Sequence, residues 1–128
     1  MKTLICRICK VPISKPIIEL EDKSKINLND KDDLIPQGFY IIWDNTYERF
    51  FSANVGQIFI NLNDVLNTKY HHDEERLNGC CGCDGLDGIN VVCKNGHEIG
   101  TEESDCWMPH SLVVEKDYID WNRGYVNL

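Results

Sequence analysis

The chain has 128 residues, of which 42% are hydrophobic, and a formal net charge of -8. This length suits a single domain over residues 1–128, and the acidic balance argues against nucleic acid as a partner, because phosphate binding requires a basic surface. No stretch approaches the roughly 20 apolar residues that cross a bilayer. We therefore expect a cytoplasmic protein that binds neither membranes nor nucleic acid and is electrostatically matched to a basic protein.

The amino-terminal segment contains a paired-cysteine motif. Residues Thr3 to Ile13 read as a strand, a knuckle formed by Cys6-Arg7-Ile8-Cys9, and a second short strand. Two cysteines separated by two residues can curl over one metal ion. A redox role would need a thiol at the start of a helix within a βαβ pattern, and the flanking proline and β-branched residues indicate no helix. The motif therefore favours a metal site.

Apolar runs in the next third of the chain predict the core. Gly38 to Trp43 is a continuous apolar run, and Tyr47 to Phe51 follows after the turn-like pair Asp44-Asn45. This arrangement is typical of a buried β-hairpin.

A further strand and a helix are predicted after this hairpin. Val55 to Leu62 alternates in hydrophobicity, which places Ile58 and Ile60 on one face and Phe59 on the other. Asn63-Asp64 then offers a helix cap, and the spacing of the apolar residues predicts one short helix ending near Tyr70.

Five of the seven cysteines lie between Gly79 and Trp107. Seven is an odd number, and in a reducing compartment such cysteines are better explained as metal ligands and buried thiols than as disulfides. Within this stretch Val91 to Cys93 predicts a strand that returns through Glu98 to Gly100, with Asn95-Gly96 at the tip of the hairpin. We expect this region to meet the amino-terminal knuckle around one structural zinc ion.

The type of turn at Asn95-Gly96 decides which side chains face the metal. A two-residue type I′ turn would place Cys93 and His97 on opposite sides of the hairpin and exclude His97. A wider turn would allow both to bind, since sulfur and imidazole both suit tetrahedral zinc. The sequence does not decide between the two turn types. The preferred zinc ligands are Cys6, Cys9, Cys81 and Cys93, and the alternates are His97 and Cys80.

These motifs resemble those of zinc-ribbon and β-tent modules, in which a CxxC on one hairpin meets a second cysteine pair on another. The run CKNGHEIG is similar to the second knuckle, although Gly96 stands where that knuckle would place its second cysteine. The longer pattern of GCCG, NGHEIGTE, SDCW and PH also resembles small bacterial proteins of uncharacterised function. We therefore expect a mostly β fold with one short helix, built of antiparallel hairpins clamped by a zinc knuckle site.

The segment Asp105-Cys106-Trp107 and the nearby His110 are the best candidates for catalysis. Cys106 could act as a nucleophile with His110 as its base and Asp105 orienting the imidazole. The β-tent resemblance includes methionine sulfoxide reductases, which carry a reactive cysteine late in the chain, but their arginine-tyrosine-cysteine signature is absent. A buried thiol beside an aromatic side chain is the more common explanation.

The carboxyl-terminal segment completes the predicted elements. Leu112 to Glu115 reads as a last strand, and Tyr118, Trp121 and Tyr125 are at roughly helical spacing, which indicates a closing turn packed on the core.

Small size, an acidic balance and the weak catalytic signal together favour a binding function. We expect a non-catalytic, zinc-binding interaction module whose partner is a basic protein, such as an immunity or inhibitor protein that neutralises a secreted toxin. The alternative is a thiol- or metal-dependent enzyme that uses Cys106 with His110.

Overall fold

The fold of the computed structural model, which describes residues 1–122, is mostly β, as predicted. Within these residues the chain forms nine short strands, five 3₁₀ turns and no α-helix. The strands are β1 (Thr3–Cys6), β2 (Ile18–Glu19), β3 (Phe39–Ile42), β4 (Ile58–Ile60), β5 (Thr68–Tyr70), β6 (Val91–Cys93), β7 (Glu98–Glu103), β8 (Ser111–Val114) and β9 (Ile119–Asn122). The 3₁₀ turns are Lys23–Lys25, Asn45–Tyr47, Leu62–Asp64, Glu74–Arg76 and Lys116–Tyr118.

Seven of these strands form one sheet in the order β2-β3-β4-β8-β7-β6-β5, and all neighbours are antiparallel except β2 and β3. The other two strands, β1 and β9, form a separate antiparallel ribbon. In this ribbon Cys6 lies opposite Ile119. The amino-terminal knuckle therefore projects from the end of a ribbon whose second strand is more than 100 residues away in the chain.

Apolar side chains pack on both faces of the seven-stranded sheet. Ile58 and Ile60 contribute to one cluster and Phe59 to the other, which confirms the alternation predicted for this strand. The first cluster also contains residues of the β1–β9 ribbon, including Leu4 and Cys6. The ribbon, and with it the first knuckle, is thus fixed to the sheet by hydrophobic packing.

The predicted hairpin of Gly38 to Trp43 with Tyr47 to Phe51 is wrong, because β3 pairs instead with β4. The carboxylate of Asp44 accepts the Thr46 backbone N–H at 2.9 Å and so caps the 3₁₀ turn Asn45–Tyr47. A capped turn removes these residues from strand pairing. The returning strand starts only at Ile58.

The short helix expected from Asn63 to Tyr70 is also wrong. The Asn61 side chain accepts the Asn63 backbone N–H at 2.8 Å and caps a single 3₁₀ turn. Asn67 then has a φ of 54°, a left-handed conformation that a right-handed helix cannot continue through. The following residues become β5 and pair with β6 at the edge of the sheet.

The segment predicted as the last strand forms β8, but one more strand follows it. Ile119–Asn122 pairs with β1, so Trp121 is part of an extended strand and not of a helical turn. Its ring lies 4.8 Å from that of Tyr40, centroid to centroid. Tyr125 lies outside the described residues.

Candidate metal centre

The first knuckle is a turn closed by its own backbone. The Lys10 N–H donates to the carbonyl of Cys6 at 2.9 Å, and the Cys6 N–H donates to the carbonyl of Val11 at 2.9 Å. Lys10 has a φ of 65°, which turns the chain back immediately after Cys9. Backbone hydrogen bonds therefore hold the two thiols of this motif on one turn.

The second knuckle joins β6 to β7 and has the wider of the two geometries considered from the sequence. The Gly96 N–H donates to the carbonyl of Cys93, and the Cys93 N–H donates to the carbonyl of His97, both at 2.8 Å. Three residues, 94–96, thus separate the paired residues, with Gly96 at a φ of 90°. A glycine in this left-handed conformation is typical of three-residue hairpin loops. Cys93 and His97 consequently lie beside each other.

The two knuckles bring four potential metal ligands together, which we call the four-ligand group. Its members are Cys6, Cys9, Cys93 and His97.

All ligand atoms of the four-ligand group lie within 4.8 Å of one another. The sulfurs of Cys9 and Cys93 are 3.7 Å apart, and Nδ1 of His97 is 3.4 Å from the Cys93 sulfur and 3.6 Å from that of Cys6. Cys6 and Cys93 are fully buried, whereas the other two are partly exposed. Four inward-facing ligand atoms at these distances can hold one metal ion.

The electrostatic surroundings differ between the two thiols of the first knuckle. A hydrogen bond from the Asn95 side chain, followed by one from the backbone of Val11, lowers the pKa of Cys9 to about 6. Burial raises the pKa of Cys6 above its usual value. Asn95 therefore has a second role beyond forming the hairpin tip, since it stabilises the thiolate across the site.

The outer side of the first knuckle is fastened to the carboxyl-terminal ribbon strand. The Arg7 guanidinium donates to the carbonyls of Asp117 and Ile119 at 2.9 and 3.0 Å and to the carboxylate of Asp120 at 3.1 Å. The Lys10 ammonium donates to the same carboxylate at 2.9 Å. These contacts fix the position of the CxxC turn relative to the rest of the chain.

Cys81, the preferred fourth ligand from the sequence, and its alternate Cys80 lie in a different place. They form a second group with Cys106, which we call the three-cysteine group. The fourth position beside Cys6, Cys9 and Cys93 is occupied by His97, because the three-residue loop turns its imidazole to the same side as the Cys93 thiol. The sequence left this geometry open, since it depends on a loop length that Asn-Gly alone does not fix.

The thiols of the three-cysteine group are close enough to perturb one another. Hydrogen bonding to the thiols of Cys106 and then of Cys80 raises the pKa of Cys81 to about 11. The neighbouring Cys83 is buried apart from this group, and burial raises its pKa. Sequence reasoning did not associate Cys106 with these residues, because the contact spans 25 positions and leaves no spacing signal.

The residues considered for catalysis have other contacts. The carboxylate of Asp105 accepts the backbone N–H groups of Cys80, Cys81 and Cys106, at 3.0, 2.9 and 2.7 Å. The backbone hydrogen bond from Cys81, followed by those from Cys80 and Cys106, holds the pKa of Asp105 well below its usual range. The Asp105 carboxylate is thus occupied as an acceptor of backbone hydrogen bonds.

His110 uses one ring nitrogen for a structural contact. Its Nε2 donates a proton to the backbone carbonyl of Asp105 at 2.9 Å, so this nitrogen cannot accept a proton from the Cys106 thiol.

Comparisons with protein families, with curated proteins and with solved structures found no match. Among residues 1–122, none of the helical segments is long and apolar enough to cross a membrane.

Proposed function

We propose that the four-ligand group binds one zinc ion and that this ion joins the amino-terminal knuckle to the β6–β7 hairpin. Tetrahedral zinc has about 2.3 Å bonds to sulfur and about 2.0–2.1 Å bonds to nitrogen, which place two sulfurs about 3.8 Å apart and a sulfur and a nitrogen about 3.6 Å apart. The measured separations are 3.7 Å for the sulfur pair and 3.4 and 3.6 Å for the sulfur–nitrogen pairs. This agreement carries the proposal.

The ligand types favour zinc in a structural role. Three thiolates and one imidazole suit a tetrahedral ion of intermediate softness, and four protein ligands leave no position for a substrate or a water molecule. Cys6 and Cys93 also belong to the first hydrophobic cluster, so the ion would be anchored directly to the core. Such a site stabilises a surface and does not itself perform chemistry.

The function that this zinc site supports is binding to a basic protein, as an immunity or inhibitor protein would. The net charge is -8, and residues 71–93 contain five acidic residues and one arginine. Glu74, Glu75 and Asp87 in this segment are exposed. A concentration of negative charge attracts a basic partner and increases the association rate.

The zinc proposal is tested by elemental analysis of the reduced, full-length protein. The expected content at the four-ligand group is one zinc per chain, lost in Cys9→Ser. Cys83→Ser is the matched control, because Cys83 belongs to neither metal-ligating group. A Cys9→Ser protein that retains this zinc would overturn the assignment.

The partner proposal is tested separately, by affinity capture with the zinc-loaded chain at low and high salt. The captured protein should be basic, and its affinity should fall steeply with added salt. Neutralising Glu74, Glu75 and Asp87 together should weaken binding. The matched control neutralises three other exposed acidic residues, Glu19, Glu21 and Asp30, and should leave binding unchanged. An acidic partner, or affinity that is unchanged by both variants, would contradict the proposal.

A further inference from the structure

The three-cysteine group, Cys80, Cys81 and Cys106, lies at the surface. Its sulfur atoms are all within 4.8 Å of one another. Cys80 and Cys81 are exposed and Cys106 is partly exposed. Unpaired cysteines are usually buried, where they pack as small apolar side chains, so packing does not explain three thiols gathered in solvent.

A buried carboxylate fixes the backbone of all three cysteines. Asp105 is 1% exposed, and its two oxygens accept the N–H groups of Cys80, Cys81 and Cys106. It also accepts the indole N–H of Trp107 at 2.9 Å. The orientation of the group is therefore set by three charge-assisted hydrogen bonds, and the fourth, from Trp107, helps to hold the carboxylate in place.

The glycines on either side of Cys80-Cys81 are required by close backbone packing. A Cβ at Gly79 would overlap the carbonyl oxygen of Gly82, and a Cβ at Gly82 would overlap the backbone of Ser104. The Ser104 hydroxyl further accepts the N–H of Cys83 at 3.1 Å. The loop is thus folded tightly on itself and on the segment that carries Cys106.

We propose that the three-cysteine group is a second metal site, which binds a thiophilic ion, Zn²⁺ or Cu⁺, through three thiolates. A disulfide would use two of the thiols and leave the third unexplained, whereas one metal ion uses all three. Thiolates select soft ions of this class, and the positive charge of the ion offsets the mutual repulsion of three neighbouring thiolates.

This site differs from the four-ligand group in having an open side. Three ligands leave a coordination position free on tetrahedral zinc, and the exposure of Cys80 and Cys81 turns that position toward solvent. The ion held here can therefore exchange, or accept a fourth ligand from a small thiol or from another protein.

Native mass spectrometry of the reduced, full-length chain tests this proposal. The chain is titrated with Zn²⁺, and in a parallel anaerobic experiment the zinc-loaded chain is titrated with Cu⁺. The expected result is two metal ions per chain, and one in the variant that combines Cys80→Ser, Cys81→Ser and Cys106→Ser. Cys83→Ser should still bind two, because its thiol is outside the group.

A moderate chelator should remove the second ion at least tenfold faster than the first, since the open site is exposed. Thiol alkylation of the wild-type protein, followed by peptide mapping, gives a readout that does not depend on folding of the variant. Addition of the second metal equivalent should protect Cys80, Cys81 and Cys106 from the reagent. A single metal ion in both titrations, or unprotected thiols, would overturn the proposal, and a disulfide formed in place of metal binding would do the same.

Discussion

The four-ligand group and the three-cysteine group place thiols close together by different means. In the four-ligand group each pair of ligands is held by hydrogen bonds within its own turn, and the two turns are brought together by the hydrophobic core. In the three-cysteine group the cysteines are held by the carboxylate of Asp105, which acts across 25 residues. Burial and four ligands suit a permanent structural ion, whereas exposure and three ligands suit an exchangeable one.

The largest expected effect comes from breaking the four-ligand group. Cys93→Ser should abolish zinc binding there and lower the free energy of unfolding by about 3–5 kcal/mol, because metal binding is coupled to folding and Cys93 lies in the core. Thermal unfolding with metal analysis measures both. The control is Cys83→Ser, also at a buried cysteine, which should keep its metal. A Cys93→Ser protein with unchanged zinc content and stability would contradict the coupling.

The next largest effect should come from Asp105→Asn, which removes the charge that orients the three-cysteine group. An amide keeps one acceptor oxygen, and its NH₂ group would face either the N–H groups of Cys80 and Trp107 or those of Cys81 and Cys106. Two donors would thus be left without an acceptor, so we expect a fall in Tm of roughly 5 °C. Hydrogen exchange should increase in the Gly79–Gly82 loop and not at Cys93. An equal increase in hydrogen exchange in the Gly79–Gly82 loop and at Cys93 would show that the three-cysteine group and the four-ligand group do not depend on separate structural contacts.

A smaller effect is expected at the tip of the second knuckle. Gly96 and Gly88 both have a φ of 90°, and no atom lies within 4 Å of the position that a Cβ would take at either residue. Alanine at either should therefore cost about 1 kcal/mol of backbone strain. Only Gly96→Ala should also weaken zinc binding, because only this glycine sets the approach of His97 to Cys93. Comparison of zinc affinity in the two variants separates the effect of backbone strain, which both share, from the effect on ligand geometry, which only Gly96→Ala has.

The smallest effect on stability should come from Cys81→Ser, since its side chain is exposed. We expect Tm to change by less than about 2 °C, while the second metal ion is lost. Calorimetry and metal titration of the same sample provide the measurement. A large fall in Tm would mean that the three-cysteine group supports the fold, contrary to the distinction drawn above.

The sequence allowed the mostly β class and several strands to be predicted, because alternation and β-branched residues are local signals. The β6–β7 pairing around Asn95-Gly96 and the opposite faces of Ile58 and Phe59 are examples. The false helix near Asn63 shows the limit, since apolar spacing there suits either a helix or a strand. A cap at Asn61 and an available sheet edge decided between them.

The CxxC pair of the first knuckle is readable from the sequence, whereas the partner of Cys93 and the allocation of the remaining cysteines between the two groups are not. From the sequence His97 is only an alternate ligand, because the direction of its side chain depends on one residue of loop length. Cys81 is preferred from the sequence because a two-residue turn at Asn95-Gly96 would exclude His97. Asp105, which positions Cys81, is 24 residues away.

Pairing between the β1 and β9 strands has a consequence for biosynthesis. Arg7 contacts Asp120 across 113 positions, so the first cysteine pair leaves the ribosome long before the strand that supports it has been made. Until then these thiols are exposed to other metal ions and to oxidants. Contacts between such distant residues also form slowly. We therefore expect the four-ligand group to assemble late in folding, and the zinc ion proposed there to bind after translation.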